Sequence, residues 1–323
     1  MRVLLLGATG LLGHNVLLRL TKAGHQVMAL VRQDDGIRLE PKQWEIVKGS
    51  LLDYNTLEKA ANGCEAIINC AGITDMSLRR YKEYLPVNKK LCEMLVRLMN
   101  SHGISTLVHA STVNTIGYGS YGHPADELSP MQPPFKGSFY ADSKSEGEKI
   151  ILSAATEGRH VIVINPGYMI GPYDVKPSSG RMLLAAYKHR LMLAPKGGKA
   201  FVHVDDVAQA MVSALTRGTN GSRYIVVNED GMLTIKKLYE LQAHVCGYRQ
   251  KVLECPNVLL KMAGIVGDLL RWLGVKTQVS SKNIRQLLVR EYYDNYHALC
   301  DLRLRTTPIE KAISDFYEYR KKL

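Results

Sequence analysis

Tyr140 and Lys144 stand four residues apart in the stretch Ser138-Phe139-Tyr140-Ala141-Asp142-Ser143-Lys144. On a helix that spacing places both on one face, one turn apart, with an ammonium near a phenol but not bonded to it. A nearby positive charge stabilises phenolate, so the spacing predicts a tyrosine drawn down from its ordinary value of about 10 toward working pH. Such a phenol gives a proton to a carbonyl oxygen, or takes one from an alcohol, while a hydride moves at the adjacent carbon. Y-x-x-x-K alone is common by chance, so the rest of the chain must supply a hydride carrier.

The first residues do so. Val3-Leu4-Leu5-Leu6 reads as a buried parallel strand, and Gly7-Ala8-Thr9-Gly10-Leu11-Leu12-Gly13 as a turn opening a helix from Leu11 to Leu20. Gly7 suits the tight turn, Gly10 the approach of a pyrophosphate to bare backbone, and Gly13 the close seating of helix on strand. The helix N-terminus then offers free N–H groups and its positive dipole end to the phosphates. A secretory leader does not fit this run, because glycines, His14 and Asn15 interrupt it and no small-x-small site precedes Lys22. At the end of the second strand, Ala29-Leu30-Val31, stands Arg32 where an acid would bond a ribose 2′-hydroxyl. Arginine suits a 2′-phosphate, which favours NADP(H) over NAD(H), with Arg38 as a second phosphate partner.

Apolar strands then alternate with helical runs: Gln26–Val31, Glu45–Val47, Ala66–Asn69, Thr106–His109 and His160–Ile164. That alternation predicts an α/β fold with a Rossmann-type, doubly wound parallel sheet. Residues 1–165 read as the dinucleotide domain, and 166–323 as a smaller, mostly helical C-terminal substrate lobe interleaved with it. A strand at Ala200–Val204, a helix at Asp205–Leu215 and a strand at Arg223–Val227 return the chain to the sheet region.

The chain has 323 residues, 46% of them hydrophobic, enough for this arrangement. Its net charge of +12 is spread along the sequence, which argues for a basic solvated surface that also attracts anionic ligands, and against a nucleic-acid partner or a membrane surface. Cys64, Cys70, Cys92, Cys246, Cys255 and Cys300 show no ligand-like spacing and read as reduced thiols of a cytoplasmic protein. His109 and His203 lie on strands with no partner at metal spacing, so no metal site is expected. No run is long enough to span a bilayer. Val258–Leu273, interrupted by Lys261, Asp268 and Arg271, reads as an amphipathic helix packed on the lobe beneath it, with a membrane-surface anchor as the other reading.

In order, the chain carries Gly7-x-x-Gly10-x-x-Gly13, Asn69-Cys70-Ala71-Gly72, Val87-Asn88, Ala110-Ser111-Thr112, Tyr140-x-x-x-Lys144, Asn165-Pro166-Gly167 with Gly171-Pro172, and Phe201-Val202-His203-Val204-Asp205-Asp206-Val207-Ala208. Together these resemble the extended branch of the short-chain dehydrogenases/reductases, the NAD(P)-dependent epimerases, dehydratases and reductases. The resemblance implies Tyr140 as general acid/base, Lys144 on the nicotinamide ribose, and Thr112, five residues before Gly117, bonding the reacting oxygen, with Ser111 as neighbouring candidate. It implies dinucleotide contacts at Gly7, Thr9, Gly10, Leu11, Leu12, Gly13 and Arg32. Further contacts fall at Ser50, Leu51, Cys70, Ala71, Gly72, Asn88, Ser111, Pro166 and Gly167. A homodimer through the helix after Asn88 and the Tyr-Lys helix is also implied.

Three departures stand out. Ser50 replaces the aspartate that reads adenine in relatives, and Asp53 is not an evident substitute. Leu91-Cys92 replace Gly-Thr, and Lys199-Ala200 stand where many sugar-nucleotide enzymes carry Arg-Asp. Val113-Asn114 follow Thr112 where dehydratases carry Asp-Glu, which argues against elimination of water. Arg32 and the Gly197–Phe201 approach resemble the dihydroflavonol-reductase-like and hydroxysteroid-dehydrogenase-like subgroup. The expected activity is NADPH-dependent reduction of a ketone or aldehyde on a small, fairly apolar molecule. A nucleotide-sugar epimerase is the alternative, and a non-catalytic dinucleotide-sensing scaffold the third reading. The loop 116–136, the segment 168–190 and the C-terminal lobe are expected to wall the substrate pocket, with Tyr118, Tyr121, Tyr168, Tyr173 and Tyr187 as candidate mouth residues.

Overall fold

A computed structural model of the chain describes residues 1–32, 44–175 and 177–323; Arg38 lies outside the described residues. Strands β1 (Arg2–Leu6), β2 (Gln26–Val31), β3 (Trp44–Lys48), β4 (Ala66–Asn69), β5 (Thr106–Ala110), β6 (His160–Pro166) and β10 (Arg223–Val226) form one sheet. Its order is β3-β2-β1-β4-β5-β6-β10, and every neighbouring pair is parallel. The order reverses between β1 and β4, which opens a crevice at the carboxyl ends of those strands.

The aliphatic run of β1 follows from burial on both faces. Val3 and Leu5 point to one layer, with α1 (Leu11–Lys22), α6 (Val204–Ser213) and α10 (Tyr296–Asp301). Leu4 and Leu6 point to the other, with α2 (Tyr54–Ala61), α3 (Leu91–His102) and α4 (Phe139–Leu152). Across α1 and α6, Arg19 Nε donates to Asp205 Oδ1 at 2.6 Å, which fixes the returning helix against the first one.

The lobe holds two small sheets beside its helices. β9 (Gly198–His203) is central in one, flanked by β7 (Tyr168–Ile170) and β11 (Met232–Thr234); β8 (Leu191–Ala194) and β12 (Lys251–Glu254) make a parallel ribbon. Its core gathers Leu183 of α5 (Arg181–Ala186), Phe201, Leu238 of α7 (Ile235–Val245) and Phe316 of α11 (Ile309–Arg320).

One expectation is overturned here. The apolar segment 258–273 forms α8 (Asn257–Trp272), but its only buried residues are Gly264 and Gly267. A Cβ at Gly264 would sit 2.9 Å from the Ser281 Cα, and one at Gly267 2.3 Å from the Val279 carbonyl oxygen. The helix therefore touches the start of α9 (Ser281–Leu288) with its smallest residues, and its apolar face is turned outward rather than on to the lobe. Among the described residues no helix is long and apolar enough to cross a membrane.

Candidate active site

The turn after β1 has the three glycine environments the sequence demanded. Gly7 has φ of +83°, and a Cβ there would lie 2.8 Å from the Ala71 nitrogen; one at Gly13 would lie 2.0 Å from the Gly7 carbonyl oxygen. Gly10 meets only the Gly7 oxygen, at 3.4 Å, and it is exposed beside Thr9 at the mouth of α1. Bare backbone, the amides of a helix N-terminus and no acid in the first turn fit a pyrophosphate. Arg32 is exposed where β2 ends, and Ser50 and Leu51 follow β3. Ser50 Oγ accepts from the Leu52 N–H at 3.1 Å, and the Asp53 carboxylate is taken by the Thr56 hydroxyl.

Asn88 sits in a π-helical turn, Pro86–Lys90, ahead of α3. Its Oδ1 accepts from the Ile73 N–H at 2.8 Å, and its Nδ2 donates to the Ile73 carbonyl at 3.1 Å and to Ser143 Oγ at 2.9 Å. Both N–H groups are spent inside the protein, so Asn88 clamps the Cys70–Ile73 loop to α4 instead of reaching a dinucleotide directly. Gly72, on that loop, is exposed, and a Cβ on it would lie 3.7 Å from Lys144 Nζ.

Tyr140 opens α4, half-buried, and Lys144 follows one turn later, fully enclosed. Lys144 Nζ donates to the Ala110 carbonyl at 2.6 Å and lies 3.5 Å from His109 Nε2. Burial lowers its pKa from the ordinary lysine value, and Cys92, Glu148 and Cys70 oppose that shift. The same burial pushes the thiol of Cys70 up to about 12 and that of Cys92 up to about 11, so neither supplies a thiolate beside Lys144.

The tuning of Tyr140 differs from the sequence expectation. Burial raises its pKa, and the effect that pulls it back is a hydrogen bond from the Thr112 side chain, not the charge of Lys144. The reason is geometric: Lys144 is turned on to the carbonyl of β5 while the phenol faces Thr112. Thr112 also caps the short turn Val113–Thr115, its Oγ1 accepting from the Asn114 N–H at 3.3 Å. Ser111 Oγ is buried with no hydrogen-bond partner, an orphan polar atom at the carboxyl end of β5 that suits a polar ligand atom.

Three supporting residues escaped the sequence reading. The Ala71 N–H donates to Asn69 Oδ1 at 3.0 Å, so Asn69 Nδ2 is the atom facing His109 Nδ1 at 3.1 Å. His109 Nδ1 therefore accepts, and the imidazole keeps its proton on Nε2, toward Lys144. Burial first, then Lys144, holds its pKa well below the ordinary value, and the ring stays neutral. Glu148, one further turn along α4, accepts from Asn165 Nδ2 at 2.9 Å and from Arg223 at 3.0 Å. Asn165 also donates to the Thr112 carbonyl at 3.0 Å, which ties Thr112 to the central sheet. The i, i+4, i+8 spacing of Tyr140, Lys144 and Glu148 was the signal that could have revealed the glutamate.

At Gly167 a Cβ would meet the Ala200 carbonyl oxygen at 2.2 Å, so the close approach of β9 already requires glycine beside Pro166. A cavity of about 320 Å³ reaches Tyr140 and is walled by Met76, Tyr84, Phe139, Arg271 and Trp272. Of the three segments expected to line it, only the C-terminal lobe does. The tyrosines proposed for its mouth pack elsewhere: Tyr118 on Phe135, Tyr121 on Tyr292, Tyr168 on Phe201, Tyr173 on His14 and Tyr187 on Tyr317.

The family model of the NAD dependent epimerase/dehydratase family matches residues 3–228. The chain belongs to that family. The resemblance to the extended short-chain dehydrogenases/reductases is borne out, and the family's members are NAD(P)-dependent oxidoreductases and epimerases. A putative dihydroflavonol 4-reductase of Synechocystis sp. is 28% identical over 320 residues, covering 96% of this chain and 91% of that protein. Sterol demethylase protein B of Methylococcus capsulatus is 28% identical over 272 residues, 83% and 81% of the two chains. In fold, the UDP-glucose 4-epimerase of Thermus thermophilus, solved with NAD, superposes with a TM-score of 0.77 at 20% identity, covering 99% of each chain. A nicotinamide dinucleotide is thus the cofactor of this epimerase/dehydratase-family fold.

Proposed function

We propose that this protein is an NADPH-dependent reductase of a ketone or aldehyde on a small, fairly apolar molecule. The observation that carries the reading is the Tyr140 phenol, one turn before Lys144 on α4 and facing a cavity walled by Met76, Tyr84, Phe139 and Trp272. When bound, the nicotinamide would supply the hydride that reduces the carbonyl carbon. Tyr140 gives its proton to the carbonyl oxygen as that bond becomes an alcohol, and Thr112 stabilises the phenolate left behind. Lys144, whose Nζ lies beside the open face of Gly72, would bond the nicotinamide ribose, and the buried Ser111 hydroxyl would be a second partner. The turn from Gly7 to Gly13, with Thr9, Leu11 and Leu12, would take the pyrophosphate. Arg32 would take the 2′-phosphate, Ser50 and Leu51 would flank the adenine, and Cys70, Ala71, Pro166 and Gly167 would line the nicotinamide side.

In this reading residues 1–165, with 205–227 returning, carry the cofactor, and the rest of 166–323 carries the substrate. A homodimer through α3 and α4 is part of the same proposal, and equilibrium sedimentation tests it. The function is tested by following NADPH absorbance against a panel of apolar ketones and aldehydes. Stoichiometric NADPH loss with alcohol formation is expected. Interconversion of a nucleotide sugar with no net NADPH loss would replace the proposal with an epimerase.

A further inference from the structure

The outward face of α8 is unlike the rest of the surface. Val258, Met262, Ile265, Leu269 and Trp272 follow one another at i, i+4, i+7, i+11 and i+14, which lines them up along one stripe. All are exposed, Ile265 at 64% and Trp272 at 80%, and Leu259, Val266 and Leu273 widen the stripe. The side turned to the protein carries the two glycines and the polar Arg271, whose Nη2 donates to the Leu78 carbonyl at 2.8 Å. The helix is thus inverted, with polar and small residues inward and large apolar ones outward. A contiguous exposed apolar surface of this kind marks an interaction site.

The ribbon that precedes α8 in the chain also exposes apolar side chains. In the β8/β12 ribbon Met192 and Val252 pack on the lobe core, while Leu191, Leu193 and Leu253 point away from it and are exposed. The ribbon starts at an open cleft lined by Lys188, Arg190, Arg249 and Lys251. Between residues 249 and 290 the chain carries eight Lys and Arg residues and only two acids, Glu254 and Asp268. The Asp268 carboxylate is engaged by the Ser281 N–H at 3.1 Å.

We propose that α8 and the β8/β12 ribbon dock on an anionic lipid bilayer, with the stripe of α8 lying among the acyl chains near the headgroups. The charge decides between occupants. A second copy seated on this face would bring two basic segments together, whereas anionic headgroups neutralise them. Trp272 ends the helix, the amphipathic residue suited to the headgroup level. The docked helix also walls the cavity beside Tyr140, through Arg271 and Trp272, so an apolar substrate would enter from the lipid side. That last step rests on the reductase reading; the docking does not.

The test is flotation of the purified full chain with vesicles of phosphatidylcholine containing phosphatidylglycerol, and with phosphatidylcholine alone, in low and high salt. Trp272 gives a parallel signal, because the other tryptophan, Trp44, is buried in the sheet core. Salt-sensitive binding to the mixed vesicles and a blue shift of the exposed tryptophan are expected. The double variant Ile265→Gln, Leu269→Gln changes only exposed positions away from the cavity. It should keep its circular dichroism melt and lose binding by about tenfold or more. Absence of binding to the mixed vesicles overturns the proposal, as does binding that the double variant leaves unchanged. A solution dimer that the double variant converts to monomer, with no vesicle binding by the unmodified chain, overturns it in favour of a second copy.

Discussion

Tyr140 is set by two opposed influences, burial that keeps the proton on and a Thr112 hydroxyl that eases its departure. Removing the hydroxyl in Thr112→Val leaves burial alone, so the phenol rises further. Alcohol oxidation, which needs the phenolate, should then lose rate across neutral pH and have its rising limb displaced to higher pH. Carbonyl reduction should keep its plateau to at least the same pH; pH profiles of kcat/KM in both directions check this. His109→Leu should cost about 1–3 kcal/mol in a denaturant titration, because the buried Asn69 amide loses its acceptor. Tyr140, Lys144 and Thr112 were legible in the sequence because helical spacing and the end of a strand are local signals. His109, Glu148 and Asn165 were not, because their partners lie 17 to 75 residues away in sequence and only the folded sheet brings them together.

Among elements, the strand–turn–helix at the N-terminus leaves little room for change. In Gly13→Ala the new methyl would meet the Gly7 carbonyl at 2.0 Å, so the turn must shift. A loss of about 1–3 kcal/mol in stability is expected, together with weaker NADPH binding, measured by thermal melts and nucleotide fluorescence. Lys199, which departs from the sugar-nucleotide pattern, serves the lobe's structure, since on β9 it pairs with the buried Glu291 and donates to the Gln286 carbonyl at 3.2 Å. Lys199→Met strands that carboxylate and should cost about 3–5 kcal/mol in urea unfolding. Burial already raises the Glu291 pKa, so the deficit should shrink at acid pH, where the carboxyl takes up a proton. The long central strands were readable because burial on both faces demands continuous aliphatic runs. The lobe's β7, β8, β11 and β12, three or four residues each, are too short for a period, and α8 was misjudged because amphipathicity does not say which way a helix faces.

Over the whole molecule, the strand order reverses between β1 and β4, where the proposed cofactor crevice lies, and the cavity beside Tyr140 is lined from both halves of the chain. Arg32 tests the cofactor choice: Arg32→Ala should weaken NADPH binding by about 1.5–3 kcal/mol and leave NADH binding unchanged, read by paired fluorescence titrations. The central claim, that a single phenol delivers the proton beside a bound dinucleotide, is tested most directly by Tyr140→Phe. NADPH titration and carbonyl turnover should be measured on the same preparation. Turnover lost with NADPH affinity unchanged is the predicted result; turnover that survives the loss of the hydroxyl would contradict it.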